Sequence, residues 1–267
     1  MKAAPQILGI VNITEDSFSD GGRFLSPEKA VHHAFALMQA GADIVDLGPA
    51  SSRPNAVPVP PEEEIRRLAP VMESLRAAGV PISVDSFHPQ TQRFALAHGA
   101  SFLNDIQGFP EPEIYPDLAA SDCRLIVMHA IQGGGVAQRL KSDLTALAGQ
   151  VRDFFEDRIQ ALERAGIARA RLILDPGMGF FLGAQTEASL LILRGLKDLR
   201  KTFGLPILIS VSRKSFLRTL TDRGIEAAGP ATLAAELFAV TQGVDYIRTH
   251  DAGALRDGLK IWSALQD

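Results

Sequence analysis

The stretch Leu172-Ile173-Leu174-Asp175-Pro176-Gly177-Met178-Gly179-Phe180-Phe181-Leu182-Gly183 sets the grammar of the whole chain. A short apolar run ends on one carboxylate, Asp175. Pro176 has no amide hydrogen with which to continue a sheet ladder, and Gly177 and Gly179 let the backbone turn sharply. A buried strand thus hands a single acid to a loop tipped by two phenylalanines. Apolar run, polar exit, helical stretch: the same order recurs in both directions from this point.

Towards the N-terminus, residues 7–11 form a β-branched run that ends at Asn12. The polar loop Thr14-Glu15-Asp16-Ser17-Phe18-Ser19-Asp20-Gly21-Gly22 follows. Ser26-Pro27-Glu28 then reads as an N-cap, a proline at the first helical position and an acid in the first turn, with the helix running to about Gly41. Residues 44–47 are a second strand, with residues 48–54 as its exit loop. Pro60 and Pro61 open a helix ending near Gly79, and Glu62, Glu63 and Glu64 are expected only to complement its dipole. Residues 82–84 end on Asp85, and Pro89 starts a helix that stops before Gly99. Residues 102–103 end on Asn104-Asp105. Residues 124–128 end on His129, ahead of Gly133-Gly134-Gly135 and a helix over 144–165 stopped by Gly166. Beyond the opening stretch, 187–203 is helical and 207–211 ends on Ser212-Arg213-Lys214-Ser215. A helix pair broken near Gly229-Pro230, a strand over 244–247 ending on Arg248-Thr249-His250, and a last helix complete the chain.

Eight strand–helix units without a linker or a shift in composition predict a single-domain α/β protein spanning 1–267, a (β/α)8 TIM barrel. A doubly wound open sheet is the alternative, but it has no reason to stop at eight. The 46% hydrophobic and 22% charged content is that of a globular chain with a sizeable core. A net charge of −4 argues against coating a nucleic acid, and no apolar segment approaches the length of a membrane span. The N-terminal run is too short, and too soon interrupted by Asn12, for a signal peptide. One cysteine, Cys123, makes no intrachain disulfide and suits a reducing, cytoplasmic setting.

In a parallel barrel the C-terminal ends of the strands converge on one mouth. There the chain delivers Asn12, Ser52 and Arg53, Asp85, Asn104, Asp175, Lys214 and Ser215, and Arg248 with His250. Asp85, Asn104 and Asp175 are rich in acceptors and suit a fused ring bearing N–H groups. Arg248, His250 and Asn12, from adjacent strands, suit a diphosphate, and the Asn12 carbonyl suits a magnesium ion shared with it. The helix start after Ser212 is a further anion position, and Lys214 sits between the two groups. His129 is read as a core residue, and His32, His33, His88 and His98 as surface or packing residues. Zinc spacing, the Gly-x-Ser-x-Gly elbow, the P-loop and the Gly-x-Gly-x-x-Gly fingerprint are all absent from the sequence.

Taken together, these motifs resemble the dihydropteroate synthases of folate synthesis along essentially the whole chain. The segment Ile10 to Gly22 resembles the family's first signature. Ser51-Ser52-Arg53-Pro54, Val84-Asp85-Ser86, Asn104-Asp105-Ile106, Leu174-Asp175-Pro176-Gly177, Ser212-Arg213-Lys214-Ser215 and Arg248-Thr249-His250 match the rest in order. The resemblance implies condensation of 6-hydroxymethyl-7,8-dihydropterin diphosphate with p-aminobenzoate. By that pattern Asp85, Asn104, Asp175 and Lys214 hold the pterin, and Asn12, Arg248 and His250 hold the diphosphate with Mg2+. Phe18, Ser52, Arg53 and Pro54 close over p-aminobenzoate beside Phe180 and Ser215. Asp85, Lys214, Arg248 and His250 are the implied catalytic residues, and a homodimer is the implied assembly.

The chain also departs from the common family pattern. Gly48-Pro49-Ala50-Ser51-Ser52-Arg53-Pro54 stands where many members have Gly-Gly-Glu-Ser-Thr-Arg-Pro. Gly179-Phe180-Phe181-Leu182-Gly183 stands where drug-sensitive members usually read Gly-Phe-Gly-Lys. These details resemble the sulfonamide-insensitive, mobile-resistance branch, with Phe181 filling space that a drug's substituent would need. A pterin-dependent methyltransferase and a non-catalytic pteridine-binding barrel are the competing expectations.

Overall fold

The computed structural model describes residues 4–14 and 26–265; the loop carrying Phe18 therefore lies outside the described residues. Eight parallel strands run through the described chain: β1 (Gln6–Asn12), β2 (Ile44–Gly48), β3 (Ile82–Asp85), β4 (Phe102–Asp105), β5 (Arg124–Met128), β6 (Leu172–Asp175), β7 (Leu208–Ile209) and β8 (Tyr246–Thr249). They pair in the order β6-β5-β4-β3-β2-β1-β8-β7. A parallel bridge between Leu174 and Ile207 joins the two ends, so the sheet closes into a barrel. The helices are α1 (Pro27–Gln39), α2 (Pro61–Ala77), α3 (Pro89–Ala97), α4 (Tyr115–Ala119), α5 (Leu147–Arg164), α6 (Thr186–Arg194), α7 (Leu196–Phe203), α8 (Ser215–Thr221), α9 (Gly229–Thr241) and α10 (Ala252–Ala264). Each crossover between consecutive strands carries helix, as parallel pairing requires.

Alternation along each strand divides its side chains between two cores. Val11, Val45, Leu47, Val84, Leu103, Val127, Leu174, Ile209 and Ile247 face outward and pack with the apolar faces of the helices. Leu8, Ile44, Phe102, Ile126, Ile173, Leu208 and Tyr246 form a separate cluster inside the barrel. This inner layer plugs the floor. The next inward positions, two residues later on each strand, are Ile10, Asp46, Asn104, Met128, Asp175, Ser210 and Arg248. The same two-residue period that builds the floor therefore lays a mostly polar layer directly above it.

Five local expectations change, the first being that the strand expected over 207–211 is only β7, Leu208–Ile209. The helix over 187–203 is divided at Gly195 into α6 and α7. Gly229-Pro230 opens α9, because proline suits the first turn of a helix, and the break falls earlier, between Thr221 and Gly229. The last strand begins at Tyr246 rather than at 244, since the Asp245 carboxylate turns aside to accept from the Ile207 N–H at 3.0 Å and to pair with Arg200. The acids at the start of α2 do more than meet a dipole. Glu63 binds Arg66 and Arg67, and Glu64 is buried, accepting the hydroxyls of Ser86 at 2.6 Å and Thr91 at 2.7 Å. Gln92 donates to the Ser86 carbonyl and to the buried Asp105 carboxylate, both at 2.9 Å. These bonds hold the outer side of the β3 and β4 exits, one residue beyond Asp85 and Asn104.

Candidate active site

The mouth holds a cavity of about 360 Å³, lined by residues from the exits of β1, β2, β3, β5, β6, β7 and β8. Its walls include Asn12, Ser52, Arg53, Pro54, Asp85, Phe180, Phe181, Lys214, Ser215, Arg248 and His250. A narrow inner recess below it adds Asn104, Asp175, Met128 and Met178, and shares Asp85, Lys214 and Arg248 with the larger space. All the described residues expected at the mouth are therefore brought together.

Arg248 is the hub. Its Nε donates to Asp46 Oδ2 at 2.6 Å and its Nη2 to Asp85 Oδ2 at 2.7 Å. Asp46 is fully buried and its other oxygen has no hydrogen-bond partner among the described residues. Burial disfavours the Arg248 cation, but the two carboxylates outweigh it and hold its pKa above the ordinary value. The expectation that acceptors and anion-binding groups form two separate sets is thus corrected: one guanidinium ties them. Asp46 was missed. The available signal was an acid between Val45 and Leu47, in the middle of a buried strand, where an unpaired charge is untenable.

Burial pushes the Asp85 carboxyl up to about 7, with Arg248 opposing the shift and Asp46 reinforcing it. Asp175 is 3% exposed and burial raises its carboxyl to about 6, against the Gly177 N–H that donates to Oδ1 at 2.8 Å. Asn104 is buried with its Oδ1 unpartnered among the described residues, so the recess holds at least one acceptor left open for a ligand donor. Lys214 is pulled down to about 8 by burial and by the neighbouring Arg248 charge, with Asp175 pulling the other way. Its Nζ lies 5.2 Å from the centroid of the Phe181 ring.

His250 is held well below the usual imidazole range by burial and then by Arg213, Arg248 and Lys214, so it is neutral. Its N–H donates to Ser212 Oγ at 3.2 Å, and Ser212 Oγ lies 2.9 Å from Nδ1. In the tautomer in which the Ser212 hydroxyl donates into Nδ1, the ring proton stands on Nε2 as a donor. Asn12 is half-buried on the lip of β1, with its Oδ1 beside Gly48.

The turn after Asp175 shows why glycine is needed there. Gly177 has φ +75°, and a Cβ on it would stand 2.4 Å from the His129 carbonyl oxygen. The His129 N–H in turn donates to the Asp175 carbonyl at 2.8 Å, and its ring packs edge-on against Phe154. Burial drops His129 to about 4, which fits a packing group. Phe181 is 5% exposed and packs with Ile106, Met128, Ala130 and Ala137, whereas Phe180 is half-buried under the Arg139 guanidinium. Among the described residues no three His, Cys, Asp or Glu side chains gather to hold a metal ion.

Comparison with known proteins agrees with this geometry. The family of pterin binding enzymes matches residues 8–250. The chain is 55% identical over 265 residues to the dihydropteroate synthase type-2 of Escherichia coli, covering 98% of this chain and 96% of that one. It is 50% identical over 268 residues to the dihydropteroate synthase type-1 of Mycolicibacterium fortuitum, with 99% and 94% covered. The solved structure of the Xanthomonas albilineans dihydropteroate synthase with 4-aminobenzoic acid superposes with a TM-score of 0.89 at 39% identity, over 98% of this chain and 93% of that one. A family model over most of the chain and relatives of this identity on the same closed barrel place the chain among the pterin-binding enzymes, and within them it belongs to the dihydropteroate synthases.

Proposed function

We propose that this chain condenses 6-hydroxymethyl-7,8-dihydropterin diphosphate with p-aminobenzoate to give 7,8-dihydropteroate and pyrophosphate. The observation that carries the reading is the recess in which Asp175 and Asn104 present buried acceptors a short way from the Asp46–Arg248–Asp85 chain. A pterin ring offers N–H donors to the first pair. The bond between its methylene carbon and the diphosphate oxygen breaks, and the electron pair leaves with pyrophosphate. Asp85 stabilises the positive charge spread over the ring and methylene, and Arg248 and the Nε2–H of His250 meet the departing anion. The aniline nitrogen then forms the new C–N bond and loses its proton, without a covalent enzyme intermediate. Ser52, Arg53, Pro54, Phe180 and Ser215 wall the space for the aminobenzoate.

Magnesium belongs to this reading through Asn12. One neutral amide oxygen beside an anion-binding wall suits a cation that takes its other ligands from phosphate oxygens and water. When bound, the ion supplies charge neutralisation on the leaving group. The unit is read as one domain across 1–267 and as a homodimer, with Phe238 on α9 and Ile261 and Leu265 towards the chain's end as exposed apolar residues in support. A cytoplasmic, reducing setting fits Cys123, whose burial pushes its thiol up to about 12 and leaves it a packing group. No helix among the described residues is long and apolar enough to cross a membrane. The decisive experiment is pyrophosphate release on mixing both substrates with Mg2+; folded protein that releases none sinks the reading.

The shifted groups set a pH profile. kcat/KM for the pterin substrate reports the free enzyme. It is expected to rise as Asp175 ionises near 6 and Asp85 near 7, and to fall as Lys214 loses its proton near 8. Stability runs the other way on the acid side. Both carboxyls have folded values above their unfolded ones, so the folded chain holds more protons and their contribution is lost as pH rises through about 6 to 7. Thermal melts and initial rates across pH 5 to 9 check both signs.

Tolerance of sulfonamides is part of the proposal and rests on Phe181, a bulky ring on the cavity wall at a position where drug-sensitive members are usually glycine. Phe181→Gly is expected to lower the sulfonamide inhibition constant about tenfold, at a stability cost of about 3–5 kcal/mol for the lost ring. An inhibition constant that does not move removes Phe181 as the cause.

A further inference from the structure

Three cations on the cavity wall have no part in the reaction as described: Arg213, whose backbone N–H donates to Thr232; Arg139, on the loop after β5; and Arg218, on α8. Arg139 is exposed, with its guanidinium carbon 5.1 Å from the centroid of the Phe180 ring. Arg218 is half-buried, and its Nε is shielded from solvent without any hydrogen-bond partner among the described residues. An arginine whose Nε has no protein acceptor among the described residues, set in the wall of an open cavity, is favoured by an anion that reaches the exposed part of its guanidinium.

The surroundings limit which acceptor fits. Arg218 follows Ser215 by three positions on α8, a spacing at which side chains share a helix face, and both residues line the cavity with Lys214. Phe180 and Ile225 supply apolar wall in the same space. Apolar wall for an aromatic ring together with a guanidinium describes a site for an aromatic carboxylate. A guanidinium's two terminal nitrogens match the two oxygens of a planar carboxylate in parallel bonds.

We propose that Arg218 recognises the carboxylate of p-aminobenzoate by such a two-point contact; the inference rests on the condensation proposed above. It adds an attractive element to substrate choice. A sulfonamide's sulfonyl oxygens do not carry the full negative charge of a carboxylate and accept more weakly, so Arg218 favours the substrate over sulfonamides independently of the bulk of Phe181.

The test is steady-state kinetics on the full chain with p-aminobenzoate and, as substrate or competitive inhibitor, its uncharged amide, 4-aminobenzamide. Arg218→Met is expected to raise KM for p-aminobenzoate about 10- to 100-fold, while its kinetic constants for the amide stay within about threefold of the parent. Arg218→Lys, with the charge but not the fork, recovers only part of the loss. Arg139→Ala is expected to change KM for p-aminobenzoate by less than about threefold, since its contact is an exposed one. The proposal is overturned if KM stays within about threefold in Arg218→Met, if the amide suffers as much as the acid, or if Arg139→Ala carries the loss instead. Should the methionine variant not fold, the lysine variant decides: an unchanged KM overturns the assignment. Parent protein that releases no pyrophosphate fails the condensation itself, an outcome seen before any variant is made.

Discussion

Arg248→Met is expected to lower kcat/KM about a thousandfold and stability by about 3–5 kcal/mol at once. The stability loss follows from one guanidinium holding two acids, Asp46 at 2.6 Å and Asp85 at 2.7 Å. The Asp46 side chain is completely buried, so removing its partner leaves a charge that can neither reach water nor find another cation. It must be protonated or must unfold its surroundings. The activity loss has a separate origin, the missing donor to a departing anion in a low-dielectric site. Asp46→Leu combined with Arg248→Met tests the separation. An apolar pair in place of a buried ion pair is often neutral or stabilising, so the double variant is expected to regain most of the stability and none of the activity. Denaturant titration and pyrophosphate release measure the two quantities. A single variant as stable as the parent would mean that Asp46 is not held by Arg248.

Asp175→Asn is expected to weaken pterin binding about 100- to 1000-fold with stability changed by less than about 1 kcal/mol. The contrast with Arg248 lies in what each substitution leaves behind. Asparagine keeps the oxygen that accepts the Gly177 N–H at 2.8 Å, so the turn into the Phe180-Phe181 loop persists. It replaces the second oxygen by an NH2 group that meets the ring's own N–H donors, and two buried donors then face each other unpaired. Neutralising a carboxyl that burial has already raised to about 6 costs the free chain little. Calorimetric titration with the pterin substrate, read beside a thermal melt, checks both halves. Binding within about tenfold of the parent would remove Asp175 from the pterin recess.

Much of this site was open to inspection in one dimension. Asn12, Asp85, Asn104 and Asp175 each stand at the end of an apolar run, and a parallel barrel brings such ends to one mouth whatever the details of its packing. Caps and breakers were equally local: Ser26-Pro27 opens α1 and Gly166 follows the end of α5. Asp46 escaped because it lies two residues short of its strand's end. It points inward only by the register that sets Asp46 opposite Ile10 and Ser83, and its partner is 202 positions away. Glu64 escaped for a related reason. Three successive glutamates look alike in sequence, yet helix geometry turns one of them under the β3 exit and leaves the others with water and arginine.

The amino-acid order by itself determined the number of strand–helix units, which residues end the strands, and hence the barrel and its chemistry. Those depend on local rules: apolar runs form buried strands, proline and glycine punctuate them, and strand ends gather by topology. The tertiary structure alone decided which charges meet. Closing the sheet through Leu174 and Ile207 and setting its register turned Asp46 and Arg248 onto the same wall, and burial there moved Asp85, Asp175 and Lys214 from their ordinary values towards neutrality. The reason is physical. A side chain's identity is local, but its pKa and its partner depend on how much water and which charges the rest of the chain leaves around it.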